Sequence, residues 1–234
     1  MVSIDNVYKT VLNILNKENR GYIVPREFNS LANQAQSEIF EGYFSLRNYV
    51  ISNDSDYSNI RKNIEEKIAL FENEETIAPG TFTNAAGNTT ANYFAYPANF
   101  YRLGTVSVNA IHASEVSSQK ILYLNKSPLT KPGQYCPVYV RHEGGIVIYP
   151  TSGYANADIT YIRKPAEVKW AGGTLSGQIS PNTAAPGYQD FELHVSEQPE
   201  LVVKILAYAG VVIRAADITQ VAAAKEQQII QSEK

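Results

Sequence analysis

Cys136 and His142 stand six residues apart, so on an extended strand they would face one side, and a thiol beside an imidazole is the minimum for nucleophilic catalysis. A reactive thiolate also needs an electropositive surrounding. The sequence offers none here, and the pair reads as a partly buried strand cysteine beside an exposed histidine. His112, His142 and His194 are far apart and lack metal-ligand spacing. The segment Asn16 to Glu27 imitates a calcium loop, with Asn16 and Glu18 as first and third ligands, Gly21 at the turn, Ile23 at the sheet position and Glu27 as the twelfth ligand. Arg20 puts a cation where the fifth oxygen belongs, and no second loop exists to pair with it. No metal site is expected. Phosphate-loop, Gly-x-Ser-x-Gly and His-Glu-x-x-His patterns are absent. Carboxylate pairs for glycoside hydrolysis have no fixed spacing, so a glycan-cleaving activity rests only on unassigned carboxylates.

Composition narrows the classes further. A chain of 234 residues can bury a core without staples, and its single cysteine cannot close an internal bridge. The opening MVSIDNVYK has no signal-peptide pattern, and the most apolar run, Leu201 to Ile213, is too short for a bilayer and interrupted by Lys204, so a soluble intracellular product with no membrane partner is expected. A formal charge of −3 gives no basic footprint for specific DNA binding. Sixteen tyrosines against eight phenylalanines and one tryptophan suit half-buried sheets and wet interfaces.

The elements that must position these residues fall into three parts: helices over 1–76, a β-rich region over 77–195 and returning helices over 196–234. Ile4, Val7, Tyr8, Val11, Leu12, Ile14 and Leu15 predict a first helix, capped by Ser3 and ending near Gly21. From Pro25 to Leu46, Phe28, Leu31, Ala32, Ala35, Ile39, Tyr43 and Leu46 fall on one arc of a second helix, with Pro25 in its first turn. Phe40 and Phe44 project on the opposite side, among Asn33, Ser37 and Glu41, and so require a second partner, either the chain's own β-region or a neighbouring subunit. Ile60, Ile64, Ile68 and Phe71 predict a third helix, with an acidic run at Glu65, Glu66, Glu72, Glu74 and Glu75.

Beyond Ile77 the period changes to two. Strands are predicted at Tyr93 to Tyr96, Tyr101 to Ile111, Lys120 to Leu124, Pro137 to Arg141, Ile146 to Tyr149 and Asp158 to Arg163, with a tight hairpin at Gly144-Gly145. Polar loops are predicted over 79–92 and 172–187. Ser196 caps a helix that starts near Glu197 with Pro199 in its first turn and is apolar on most sides; a helical tail follows, with Ile229-Ile230 nearly alone in polar sequence. The fold class is therefore α+β: a helical bundle from both ends of the chain and an antiparallel β-sandwich or barrel-like middle.

Four segments carry a family likeness: 12–44, LNILNKENRGYIVPREFNSLANQAQSEIFEGYF; 93–108, YFAYPANFYRLGTVSV; 158–171, DITYIRKPAEVKWA; and 190–228, DFELHVSEQPELVVKILAYAGVVIRAADITQVAAAKEQQ. Together they resemble the head-to-tail adaptor or ring proteins of short-tailed phages, most of all those of crAss-like gut phages. The resemblance implies a structural virion protein of the neck or tail, made in the bacterial cytoplasm, with no enzymatic activity and no cofactor. It implies a homo-oligomeric, dodecameric ring that meets the portal protein and the next tail or neck ring and lets DNA pass non-specifically through its lumen.

On that expectation Phe40 and Phe44 become subunit-interface candidates, because a closed ring needs a heterologous contact. Glu65, Glu66, Glu72, Glu74 and Glu75 become DNA-channel candidates, since carboxylates repel a polyanion that lysines would hold. A solvated face explains the same acidic run equally well. Ile229 and Ile230 become portal-docking candidates. The alternative from another class is a virion β-sandwich that binds a host glycan or decorates the capsid, displaying the 79–92 and 172–187 loops.

Overall fold

A computed structural model describes residues 1–17, 22–52, 58–83, 89–151, 153–175 and 178–212. Three helices open the chain: α1 (Ile4–Lys17), α2 (Pro25–Ser52) and α3 (Ser58–Ala69). The strands β1 (Glu72–Ile77), β2 (Gly80–Thr83), β3 (Thr89–Ala95), β4 (Phe100–Val108), β5 (Ile111–His112) and β6 (Ser114–Glu115) follow, then α4 (Ser118–Lys126). After it come β7 (Val138–His142), β8 (Gly145–Tyr149), β9 (Ala157–Arg163), β10 (Gly172–Leu175), β11 (Gln178–Pro181) and α5 (Gln198–Val212). The α+β class read from the sequence is the observed one.

The chain divides into two compact units, and their boundaries differ from the predicted ones: Met1–Leu70 joins Pro165–Lys234, and Phe71–Lys164 stands between them in sequence. The sequence places the first change at 76/77 because ENEETI shows no apolar alternation. It forms β1 all the same, as an edge strand exposed on both faces over most of its length. The second change falls at 164/165 and not at 195/196, because the extended segment 165–171 is held by Asn29, Asn33 and Gln36 of α2.

In the helical unit α5 packs against α1 and α2, and α3 packs against α2. The Tyr8 ring lies 4.6 Å from Phe28 and 4.5 Å from Trp170, which joins α1, α2 and the extended segment in one aromatic cluster. The predicted arc of α2 is buried at Phe28, Ala32, Ala35, Ile39 and Tyr43. Leu201, Val202, Lys204, Ile205, Leu206 and Ala209 are all buried, so α5 is covered on most sides as its sequence predicts. Lys204 at this depth is compensated by Glu38 at 3.1 Å and Glu200 at 3.9 Å. Burial alone would raise the Glu38 carboxyl; hydrogen bonds from Tyr208 and Lys204 and the Lys204 charge outweigh it and hold the group below its ordinary value. The predicted Ser196 cap is displaced: His194 Nδ1 accepts from the Ser196 amide, and Val195–Glu197 forms a 3₁₀ turn leading into α5, with Pro199 in the first turn of that helix. The predicted 172–187 loop contains the β10–β11 pair, and the predicted 79–92 loop contains β2 and the start of β3, paired with each other.

The β unit is a sandwich and not a closed barrel. One sheet runs β1-β9-β4-β5, all antiparallel; the other runs β2-β3-β8-β7-β6, antiparallel except for the parallel β6–β7 pair. Phe94, Val106, Tyr139, Ile146, Ile148, Ile159 and Tyr161 share the core between the sheets. The β7–β8 hairpin turns at the predicted glycines. Gly144 has φ +70°, and a Cβ on Gly145 would run into the Phe94 carbonyl, so neither position admits another residue without strain. The predicted strand at Lys120 to Leu124 is helical instead. A short apolar run fits either state, and the Ser117 side chain decides it by accepting from the Lys120 amide at 3.3 Å as an N-cap. Ile121 on the inner side of α4 packs with Val116 and Val140 on the outer face of the sheet.

Candidate functional site

The structure disperses the residues that could do chemistry. Cys136 is exposed, in the loop before β7, where its amide donates to the Gly133 carbonyl at 3.1 Å. His142 ends β7 half-buried, 6.0 Å from the Phe82 ring. This reverses the burial expected from sequence, because the strand begins only at Val138 and leaves Cys136 outside the period-two pattern. His112 lies on β5 and His194 caps the 3₁₀ turn. Within the calcium-loop imitation, residues 18–21 lie outside those described. Ile23 accepts a hydrogen bond from the Tyr8 hydroxyl at 3.2 Å, and Glu27 is in the first turn of α2. No group of three or more metal-ligating side chains occurs among the described residues.

The proposed interface and channel residues need correction. Phe40 and Phe44 are each only 3% exposed within the single chain, and their rings meet edge to face at 5.2 Å. They are core residues of the monomer and not an open subunit face. The wheel of α2 shows a second apolar side without its occupant, and α3 and α5 both pack on this helix. The acidic run is split: Glu65 and Glu66 lie on α3, while Glu72, Glu74 and Glu75 lie on β1, in the other unit. Glu75 accepts from the Tyr161 hydroxyl at 3.0 Å. A single acidic helix face therefore does not exist. Ile229 and Ile230 lie outside the described residues.

Sequence reasoning missed a surface that the β unit presents around α4. Ile121 anchors this helix inward, so a 100° step per residue turns Leu122 and Tyr123 outward, where they are 63% and 75% exposed. The loop 127–137 adds Leu129 at 96% and Tyr135 at 85% exposure. Between helix and loop runs an open groove of about 540 Å³, lined among others by Val116, Lys120, Leu124, Tyr135 and Val138. The loop is fastened: Pro132 is buried, the Tyr154 hydroxyl donates to the Gly133 carbonyl at 3.4 Å, and the Lys131 amide donates to the Ser127 carbonyl at 3.1 Å. Large apolar side chains on a Pro/Gly-punctuated segment, SPLTKPGQY, were the available signal.

A second concavity of about 410 Å³ is lined by Tyr96, Phe100, Arg102, Arg141 and His142 among others. The Tyr96 and Phe100 rings stack at 3.8 Å. Burial pushes the Tyr96 hydroxyl up to about 12, so it is a neutral donor at physiological pH. Arg141 pairs with Glu115 at 2.8 Å, which spends its charge locally.

No described helix is long and apolar enough to cross a membrane. No protein-family model matches the chain, and no curated protein matches it.

Proposed function

We propose that this chain is a structural component of a phage neck or tail, a ring protein that joins the portal to the next tail component and lets DNA pass. The observation that carries the reading is the fastened apolar display of α4 and the 127–137 loop. Four large side chains stand out to solvent on α4 and the adjoining loop, where Leu129 and Tyr135 line one groove with Leu124 and Val138; exposed apolar area of this size is often functional, and the fastened loop loses little entropy on docking. The concavities offer aromatic rings and charged side chains, with no nucleophile and base in contact among the described residues, which suits assembly better than catalysis. The four segments resembling adaptor proteins supply the kind of assembly. Glu65 and Glu66 on α3 remain the lumen candidates under this reading. Negative-stain microscopy of the purified chain with and without its cognate portal is the test. Rings sharing the portal's rotational order are expected, and a monomer that ignores the portal would sink the reading.

A second reading has one observation in its favour. Stacked Tyr96 and Phe100 beside Arg102 and His142 combine an aromatic platform with polar side chains, the chemistry that holds a sugar ring. A virion module binding a host glycan would show saturable signals on a glycan array, and these would vanish in Tyr96→Ala.

A further inference from the structure

We infer that the crest of α4 and the 127–137 loop of one copy dock on strand β1 of a second copy, making a heterologous contact; this rests on the ring reading for the premise that copies associate. The apolar part is Leu122, Tyr123, Leu129 and Tyr135. Two tyrosines and two leucines left out to this degree offer on the order of 500 Å², a large share of the roughly 800 Å² that each partner contributes to a standard interface.

Charge identifies the occupant. Lys120 and Lys126 flank Tyr123 at three residues on either side, and Lys131 stands in the adjoining loop. All three are exposed, and none has an ion-pair partner among the described residues. The complementary surface occurs on the same unit. Glu72 and Glu74 are exposed on β1 and likewise have no ion-pair partner among the described residues. Being two apart on a strand, they point to one side about 6.7 Å from each other. Among the described residues β1 pairs with β9 on one side only and is the edge strand of its sheet. Carboxylates on an edge strand oppose strand-to-strand addition and leave recognition to side chains. A cationic apolar face and an anionic edge in one unit fit each other between copies. Because the two faces differ, the contact propagates head to tail and can close into a ring. Lysines alone would equally suit a polyanion, but the leucines and tyrosines between them would gain nothing from a phosphate backbone.

Two charge-reversed chains test the inference, Lys120→Glu with Lys126→Glu and Glu72→Lys with Glu74→Lys, measured by sedimentation and microscopy with and without the cognate portal. Each alone is expected to weaken self-association at least tenfold, and an equimolar mixture, or all four changes in one chain, to restore it. In a second measurement, Glu74→Cys in a Cys136→Ser background is mixed with wild-type chains and treated with a short bis-maleimide. Mixed dimers through Cys136 of one copy are expected in excess over like pairs. Rings unchanged in both reversed chains, or like pairs alone, overturn the docking and leave the ring reading standing. A wild-type chain that stays monomeric with and without the portal overturns both. Intact rings that have lost the portal or the next tail component assign the face to that partner and overturn the docking.

Discussion

Asn29, Asn33 and Gln36 use their amides as a substitute strand edge. Asn29 Nδ2 donates to the Trp170 carbonyl at 3.0 Å while its Oδ1 accepts from the Trp170 amide at 2.8 Å; Asn33 does the same with Val168 at 2.9 and 2.8 Å. Four helical residues advance about 6.0 Å and two strand residues about 6.7 Å, so the two ladders stay nearly in register. The next step on the helix is three residues, about 4.5 Å, and falls short of the strand repeat. Here the side chain is Gln36, one methylene longer, and its Nε2 reaches the Ala166 carbonyl at 2.8 Å. The Ala166 amide is taken over by Glu192 at 2.8 Å, and the other edge of the segment pairs Lys169 with Gln189 through both backbone bonds. Asn33→Leu would preserve size yet strand the Val168 amide and carbonyl, so a loss of about 2–3 kcal/mol is expected in urea unfolding, with faster hydrogen exchange at Val168. Exchange unchanged at Val168 would count against the ladder. None of this was legible beforehand, because periodicity reports which side chains avoid water and is silent about which backbone a polar side chain will bind.

At the scale of elements, what the sequence revealed and what it hid have the same cause. The arcs of α1, α2 and α5 were readable because burial of one stripe has a period, and the β7–β8 turn because Gly144 needs positive φ. Phe40 and Phe44 do not form an open subunit face, because a wheel shows a second apolar side but not its occupant; here α3 and α5 both pack on α2 and the chain itself buries both rings. The sequence reads as helix over β1 because ENEETI has no inward apolar residue before Ile77, and as strand over α4 because KILYL suits both. The exposure of Leu122 and Tyr123 follows only once α4 is helical. The correction changes what a substitution should do. Phe40→Ala is expected to cost about 3–5 kcal/mol by chemical denaturation, the penalty of a cavity in a core. Phe40→Leu, by contrast, is expected to retain most stability and wild-type assembly. A Phe40→Ala chain as stable as wild type but unable to form rings would restore the interface assignment.

Taken as a whole molecule, the chain carries one unit inserted into the sequence of another. The ends of the inserted unit meet: the Arg163 amide donates to the Phe71 carbonyl at 2.9 Å, and the Arg163 guanidinium lies 5.7 Å from the Phe71 ring. The Lys164 amide then donates to the Asn99 carbonyl at 2.7 Å, which ties the exit into the same unit. Neighbouring ends are what an insertion requires, since the host chain is interrupted without being forced apart. The core between the two sheets is drawn wholly from Phe71–Lys164, as is the smaller cluster beneath α4. The helical unit, in contrast, depends on both of its sequence halves: Val2 pairs with Phe191, the Ile4 amide at the start of α1 donates to Asp190 at 2.8 Å, and Lys67 bridges to buried Glu197 at 2.6 Å. Fragment 71–164 is therefore expected to fold alone, with one cooperative thermal transition and dispersed amide resonances, whereas 1–70 alone is expected to lack a cooperative transition. A 71–164 fragment that binds hydrophobic dye and melts without a transition would show that the sandwich needs its host, and the insertion would then be one of sequence only.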